Sequence, residues 1–172
     1  IRAFVAVELS DGIRQEVARV VHSLESVRIR GLRTVSPEGL HLTLKFLGDV
    51  PESELPSIHC AISLAAGPYG PLLVEVGGFG AYPHESSPRV LWLGVEISQA
   101  LLSLRKDLEE RLASLGFERD RREWSPHLTL GRARDRASKS DLRRTIRTLT
   151  AMSPVSQSME VSSVSLVRST LL

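Results

Sequence analysis

His-Leu-Thr-Leu occurs twice in this chain, in 41-HLTLKFLG-48 and in 127-HLTLGRAR-134, and the copies hold two of its five histidines. They stand 86 positions apart. Successive side chains of a β-strand alternate faces, so His41 and Thr43 share one face while Leu42 and Leu44 share the other. The same holds for His127 and Thr129 against Leu128 and Leu130. Leucines on one side suit a core, which leaves an imidazole beside a hydroxyl on the opposite side. With an ordinary imidazole pKa of about 6.5, one histidine can accept a proton while a second, charged one donates. Threonine hydroxyls can donate hydrogen bonds to phosphate oxygens and stabilise the charge that builds in a transition state. His41, Thr43, His127 and Thr129 around one centre would form a site for acid/base chemistry on a phosphodiester.

A lone histidine on a half-buried strand is more often structural than catalytic. The surroundings of the two tetrapeptides repeat as well, however. Segment 4-FVAVELS-10 aligns with 92-WLGVEIS-98 at an offset of 88. Ser10 and Ser98 each read as the N-cap of an amphipathic helix. Ile13, Val17, Val20, Val21 and Leu24 fall on one face of 11–26, and Leu101, Leu104, Leu108, Leu112 and Leu115 on one face of the second helix. From Ser10 to His41 is 31 positions, and from Ser98 to His127 is 29. Chance produces a shared tetrapeptide more readily than a shared strand, helix and tetrapeptide at near-constant spacing. Residues 1–172 are therefore expected to form a single domain of two internally repeated lobes.

The remaining elements follow from periodicity and turn residues. A strand is expected over 2–9, a short one near 32–35, a turn at 36–39, and a helix over roughly 52–66. Another strand lies around 72–76, followed by a loop holding Gly77, Gly78, Gly80, Pro83 and Pro88. Strand 89–97 comes next, then the Ser98-capped helix, a turn near Gly116 and the second tetrapeptide. A helix near 138–150 and β structure over 155–169 complete the chain.

Composition and motif content exclude several classes. A hydrophobic share of 42% with 24% charged residues is ordinary for a soluble globular domain. No apolar run approaches the roughly 20 residues that cross a bilayer, and the N-terminal pattern is not that of a signal peptide, so a cytoplasmic protein is expected. Cys60, the single cysteine, excludes an internal disulfide and a multi-cysteine metal site, and its apolar neighbours suggest a packed residue. Catalytic zinc takes three protein ligands, whereas the tetrapeptides supply two histidines with no adjacent carboxylate or cysteine. No metal or other cofactor is expected. A Gly-x-Ser-x-Gly elbow and a phosphate-binding Gly-x-x-x-x-Gly-Lys-Ser/Thr loop are both absent from the sequence.

Net charge is only +2, yet the arginines cluster. Arg28, Arg30 and Arg33 precede the first tetrapeptide, and Arg119, Arg121, Arg122, Arg132, Arg134 and Arg136 flank the second. A guanidinium fork matches phosphate geometry, and a solvated arginine-rich surface is the plain alternative. Lys45 shares the His41 face, as an RNA contact or a rim charge. Phe46 falls on the leucine face and is expected in the core. Phe79 and Tyr82 lie in the glycine-rich loop, where a base could stack. His22, His59 and His84 have no partner pattern and read as surface residues.

The paired motifs, 41-HLTLKFLG-48 and 126-PHLTLGR-132, resemble those of the 2H phosphoesterases, specifically the bacterial and archaeal RNA 2′,3′-cyclic phosphodiesterases historically called 2′-5′ RNA ligases. The likeness extends to 2-RAFVAVELS-10, 78-GFGAYP-83, 88-PRVLWLGV-95 and 164-VSLVRSTL-171. It implies an α+β fold of two pseudo-symmetric lobes, each an antiparallel-rich sheet with helices outside, around a central active-site cleft. It also implies metal-independent hydrolysis of a terminal 2′,3′-cyclic phosphate to a 2′-phosphate, with His41 and His127 catalytic and Thr43 and Thr129 on the phosphate. Which histidine is base and which acid is open between identical tetrapeptides; His127 as base and His41 as acid is the working assignment. Arg132 matches an arginine after the second motif and is expected to contact phosphate, although strict alternation turns it from the cleft unless a bulge intervenes. The reverse reaction, attack by a 5′ hydroxyl on the cyclic phosphate, would use the same residues without ATP and form a 2′-5′ linkage. The implied partner is RNA with a cyclic phosphate end, tRNA fragments among the candidates, acted on by a monomer. The rival readings are a phosphodiesterase for a 2′-5′ oligonucleotide or small cyclic nucleotide, and a non-catalytic RNA-binding module.

Overall fold

The computed structural model describes residues 1–151 and 156–169. Its elements are β1 (Arg2–Glu8), α1 (Asp11–Ser26), β2 (Leu32–Thr34), β3 (His41–Asp49), α2 (Leu55–Ala66), β4 (Leu72–His84), β5 (Ser87–Val95), α3 (Gln99–Ser114), β6 (His127–Ala133), α4 (Lys139–Ala151), β7 (Gln157–Val161) and β8 (Ser165–Arg168). The class is α+β. The strands form two sheets, in the orders β3-β1-β8 and β2-β6-β5-β4-β7, and every pair is antiparallel. No helix among the described residues is long and apolar enough to cross a membrane.

Local chemistry builds the two long helices alike. Ser10 Oγ accepts from Ile13 N at 3.4 Å and Ser98 Oγ from Leu101 N at 3.1 Å, so each helix opens on a side-chain cap. All five predicted apolar positions of α1 are buried. In α3, Leu101, Leu104, Leu108 and Leu112 are buried, but the helix ends at Ser114 and Leu115, its C-cap, is exposed. The face of α2 that packs carries Ile58, Ala61, Ile62 and Ala65. Cys60 falls between those positions on the outer side and is exposed, contrary to the packed setting that its neighbours suggest. His22, His59 and His84 are all exposed, as expected.

Chain connectivity laces the sheets together. β2 comes before β3 in sequence, yet it pairs with β6 in the five-stranded sheet. Near the C-terminus, β7 pairs with β4, the chain passes exposed Ser162 and Ser163, and β8 pairs with β1 in the other sheet. The β structure expected over 155–169 is thus two strands in different sheets, and Val155 lies outside the described residues, as do Thr170 and Leu171. Helix α1 packs on β2, β6 and β7, whereas α3 packs on α2, β3 and β4.

The glycine-rich segment is strand, not loop. β4 continues to His84 and pairs with β5, with a register shift between Val76 and Phe79 where Gly78 adopts φ +73°. Gly80 is required by a close approach: a Cβ there would lie 2.2 Å from the Trp92 indole. The glycines mark a bulge and a crowded crossing instead of a break in the ladder.

A bulge also interrupts each tetrapeptide strand. In β3, Val5 pairs with Lys45 and Ala6 with Thr43, which leaves Leu44 as the extra residue. In β6, Leu91 pairs with Gly131 and Trp92 with Thr129, which leaves Leu130. Alternation therefore slips by one after each His-x-Thr-Leu. Leu44 and Lys45 both turn inward, and so do Leu130 and Gly131. Lys45 is consequently only 2% exposed and is no rim charge. Its ammonium donates to Glu109 Oε2 at 2.8 Å and to the Glu118 carbonyl at 2.7 Å. Phe46, expected in the core, rejoins the His41 face and is 71% exposed.

Lys45→Met would leave the Glu109 carboxylate with only Arg105, at 3.4 Å, as an ionic partner. The expected loss is about 3 kcal/mol of unfolding free energy, with partial recovery in K45M/E109M. Urea unfolding of the two variants checks this, and an unchanged midpoint in K45M would show the pair to be energetically neutral.

Candidate active site

β3 and β6 belong to different sheets and touch one another. Between them lies a cleft of about 450 Å³. His41, Thr43 and Phe46 line it from β3, and His127, Thr129 and Arg132 line it from β6, with Phe4, Leu40, Trp124 and Pro126 around them. All five residues singled out from sequence are therefore brought to one cleft, and the four His and Thr side chains are half-buried. The leucines between them, Leu42, Leu44, Leu128 and Leu130, are buried in the core. Arg132 arrives by the bulge at Leu130, which moves it from the core face to the His127 face.

Each histidine is oriented by the backbone two residues before it. His41 Nδ1 lies 3.0 Å from Gly39 O, and His127 Nδ1 lies 2.8 Å from Ser125 O. A carbonyl oxygen only accepts, so each Nδ1–H is the donor and each Nε2 is left free to give or take a proton. Aromatic edges fix the ring planes further. Phe4 meets His41 at 5.9 Å between centroids, and Tyr82 meets His127 at 5.1 Å, both edge-on. Trp92 lies 6.2 Å from His127. Tyr82 does not wave in a loop: its hydroxyl is 2.7 Å from Ser125 Oγ, beside the carbonyl that holds His127. Phe79 packs partly buried against the core, away from the cleft lining.

Phe4, Trp92 and Trp124 are the site residues that spacing did not single out. One signal for the first two was present, since the offset of 88 places Phe4 opposite Trp92 in the repeated segment. Trp124 carried none, because its place depends on Arg105, whose guanidinium stands 5.2 Å from the Trp124 ring centroid. Arg105 also bonds Asp120 at 2.9 Å and the Leu44 carbonyl at 3.2 Å.

The charge left in the cleft is positive. Arg132 has no ion pair or side-chain hydrogen bond among the described residues. Its cross-strand neighbour on β2 is Arg33, so two like charges sit side by side, which is unfavourable unless an anion lies between them. Among the described residues no group of three or more His, Cys, Asp or Glu side chains is placed to hold a metal ion. Two proton-transfer groups, two hydroxyl donors and one guanidinium are what the arrangement offers.

Known proteins share both the sequence and the shape. The sequence profile of the 2′-5′ RNA ligase superfamily matches residues 30–171. A Methanothermobacter thermautotrophicus protein named RNA 2′,3′-cyclic phosphodiesterase is 37% identical over 171 residues, 99% of this chain and 91% of the relative. An Archaeoglobus fulgidus protein of the same name is 40% identical over 133 residues, covering 77% of this chain and 73% of the relative. A crystal structure of a Thermus thermophilus protein superposes with a TM-score of 0.81 at 28% identity, covering 100% of this chain and 90% of that one. Escherichia coli LigT complexed with 3′-AMP superposes with a TM-score of 0.67 at 27% identity, covering 96% of this chain and 86% of that one. With both histidine motifs inside the matched span, the chain belongs to the 2′-5′ RNA ligase superfamily, the 2H phosphoesterases.

Proposed function

We propose that this protein is an RNA 2′,3′-cyclic phosphodiesterase that opens the terminal cyclic phosphate to a 2′-phosphate by two-histidine acid/base chemistry without a metal. The observation that carries the reading is the matched pair of histidines, each with Nδ1 held by a backbone carbonyl and Nε2 free, in one cleft with two threonine hydroxyls. The names of the curated relatives, aligned over most of the chain, support the substrate.

In the proposed step, one imidazole takes a proton from water as the water oxygen bonds to phosphorus. The bond from phosphorus to O3′ breaks, and the second, charged imidazole protonates the departing O3′. Thr43 and Thr129 donate to the non-bridging oxygens, and the Arg132 guanidinium offsets their growing negative charge. When a 5′ hydroxyl replaces water, the same base and acid serve and a 2′-5′ linkage forms; the roles exchange when that linkage is cleaved, where O3′ attacks phosphorus and the 5′ oxygen leaves with a proton. The matched settings of His41 and His127 suit such an exchange. Phe46 and Trp124 on the cleft rim offer faces on which the terminal base can stack. We further propose that the two halves are copies of one strand-helix-strand unit, since the caps, the helix lengths and both bulges fall at equivalent places.

An oligoribonucleotide ending in a 2′,3′-cyclic phosphate, incubated with the protein in EDTA, should yield the 2′-phosphate and not the 3′-phosphate. His41→Ala and His127→Ala should each lower kcat about 10²–10⁴-fold, and Thr43→Val or Thr129→Val by up to about 10²-fold. Activity lost to EDTA and restored by zinc would overturn the metal-free scheme. If neither histidine variant loses turnover, the site lies elsewhere.

The dependence of kcat/KM on pH should be bell-shaped, because one imidazole must be neutral and the other charged in the reactive form. Its two limbs would belong to the pair and not to either residue. A single sigmoid would remove one histidine from proton transfer.

A further inference from the structure

At the start of β2, on the side paired with β6, the chain leaving α1 runs against the chain leaving β6. Arg134 N donates to Gly31 O at 2.8 Å, and a Cβ on Gly31 would stand 3.0 Å from Ala137 Cα. Between these segments opens a pocket of about 690 Å³, with Arg28, Arg30, Arg33, Arg134 and Arg136 on its walls and Glu25 as its one carboxylate. Glu25 accepts from the Thr34 hydroxyl at 2.6 Å. Among the described residues none of the five arginines has an acidic partner. Arg28 moreover sits at φ +52°, just past the end of α1, where glycine or asparagine is usual. Five guanidinium groups on one space repel each other and concentrate positive potential, in a chain whose net charge is only +2. Such a wall is complementary to a polyanion with several phosphates.

The pocket adjoins the cleft through one pair of residues. Arg33 lines the pocket and stands opposite Arg132, which lines the cleft. The other flank of the cleft, over Glu118–Glu123, alternates arginines with carboxylates, and Asp120 there is bound to Arg105. The positive path away from the histidines therefore leads over β2.

We propose that this arginine pocket holds backbone phosphates of the RNA strand whose cyclic end occupies the cleft. The proposal rests on the RNA reading above and extends it from the reacting end to the body of the substrate. A cyclic phosphate terminates the 3′ end, so every other phosphate lies on its 5′ side, and those nearest the end are the ones the pocket takes. Guanidinium contacts to phosphate position a strand without reading its bases. The pocket thus favours polynucleotide ends over cyclic mononucleotides, independently of sequence.

The test compares the protein with R30Q/R134Q/R136Q and with R111Q/R143Q/R147Q, which removes three positive charges elsewhere. KM for a cyclic-ended oligoribonucleotide should rise about tenfold or more in the pocket variant near 0.1 M salt, while turnover of a 2′,3′-cyclic mononucleotide stays within about twofold. Fluorescence anisotropy of a labelled oligoribonucleotide carrying a 2′-phosphate supplies a readout that needs no turnover. Its salt slope should become shallower by about 0.7 for each phosphate contact removed, and the control variant should keep the original slope. Equal slopes in all three proteins, equal losses in pocket and control variants, or parallel losses on both substrates would overturn the proposal. Turnover of neither substrate by the unaltered protein would sink the phosphodiesterase reading alone, and anisotropy would still decide the pocket.

Discussion

One extra residue in each histidine-bearing strand governs the layout of the cleft. Up to the second leucine of the tetrapeptide, simple alternation separates His and Thr from the core. At Leu44 and Leu130 the ladder slips, and the side chains that follow change face, in β3 as far as a second slip at Leu47. Without the slip, Phe46 and Arg132 would point into the core, and Lys45 would reach solvent beside His41. With it, Phe46 supplies an aromatic surface on one wall and Arg132 a cation on the other. Equivalent backbone positions thus deliver different chemistry to the two sides of one cleft.

The same slip forces a lysine inward, and the interior has adapted around it. Burying an ammonium is costly unless it is paired and hydrogen-bonded. Lys45 finds Glu109 on α3 and a carbonyl at Glu118, while Arg105 on the same helix reaches Asp120 and covers Trp124. These contacts pin the 118–125 segment at three points. That segment ends at Ser125, whose carbonyl orients His127. A charge buried under one histidine is in this way connected to the placement of the other.

Cleft geometry depends on how two sheets are joined, because each contributes one wall. β2 and β8 pair into sheets other than those of their sequence neighbours β3 and β7, so both connections cross between the sheets. With the connections from β1 to β2 and from β3 to β4, the chain crosses at four places, which resists separation of the walls. It also sets β2 beside β6, where Arg33 doubles the charge of Arg132 and opens toward the arginine pocket.

Much of this was legible in the chain. Cap residues, apolar spacing and the inward leucines of both tetrapeptides depend on near neighbours along the sequence, and Ser10, Ser98, Leu42 and Leu128 stand where that logic puts them. The meeting of His41 with His127 was readable because their surroundings repeat. Lys45, Phe46 and the glycine-rich segment were misplaced for one shared reason: a bulge or a close crossing is decided by the partner strand and not by the strand's own pattern. Gly80 yields to Trp92, twelve residues on, and Lys45 turns inward because Val5 pairs with it in place of Leu44. Residue types and local periodicity determined which chemistry the protein could carry. Only tertiary pairing decided which face each side chain took after the slip, since register is a property of two strands and not of one.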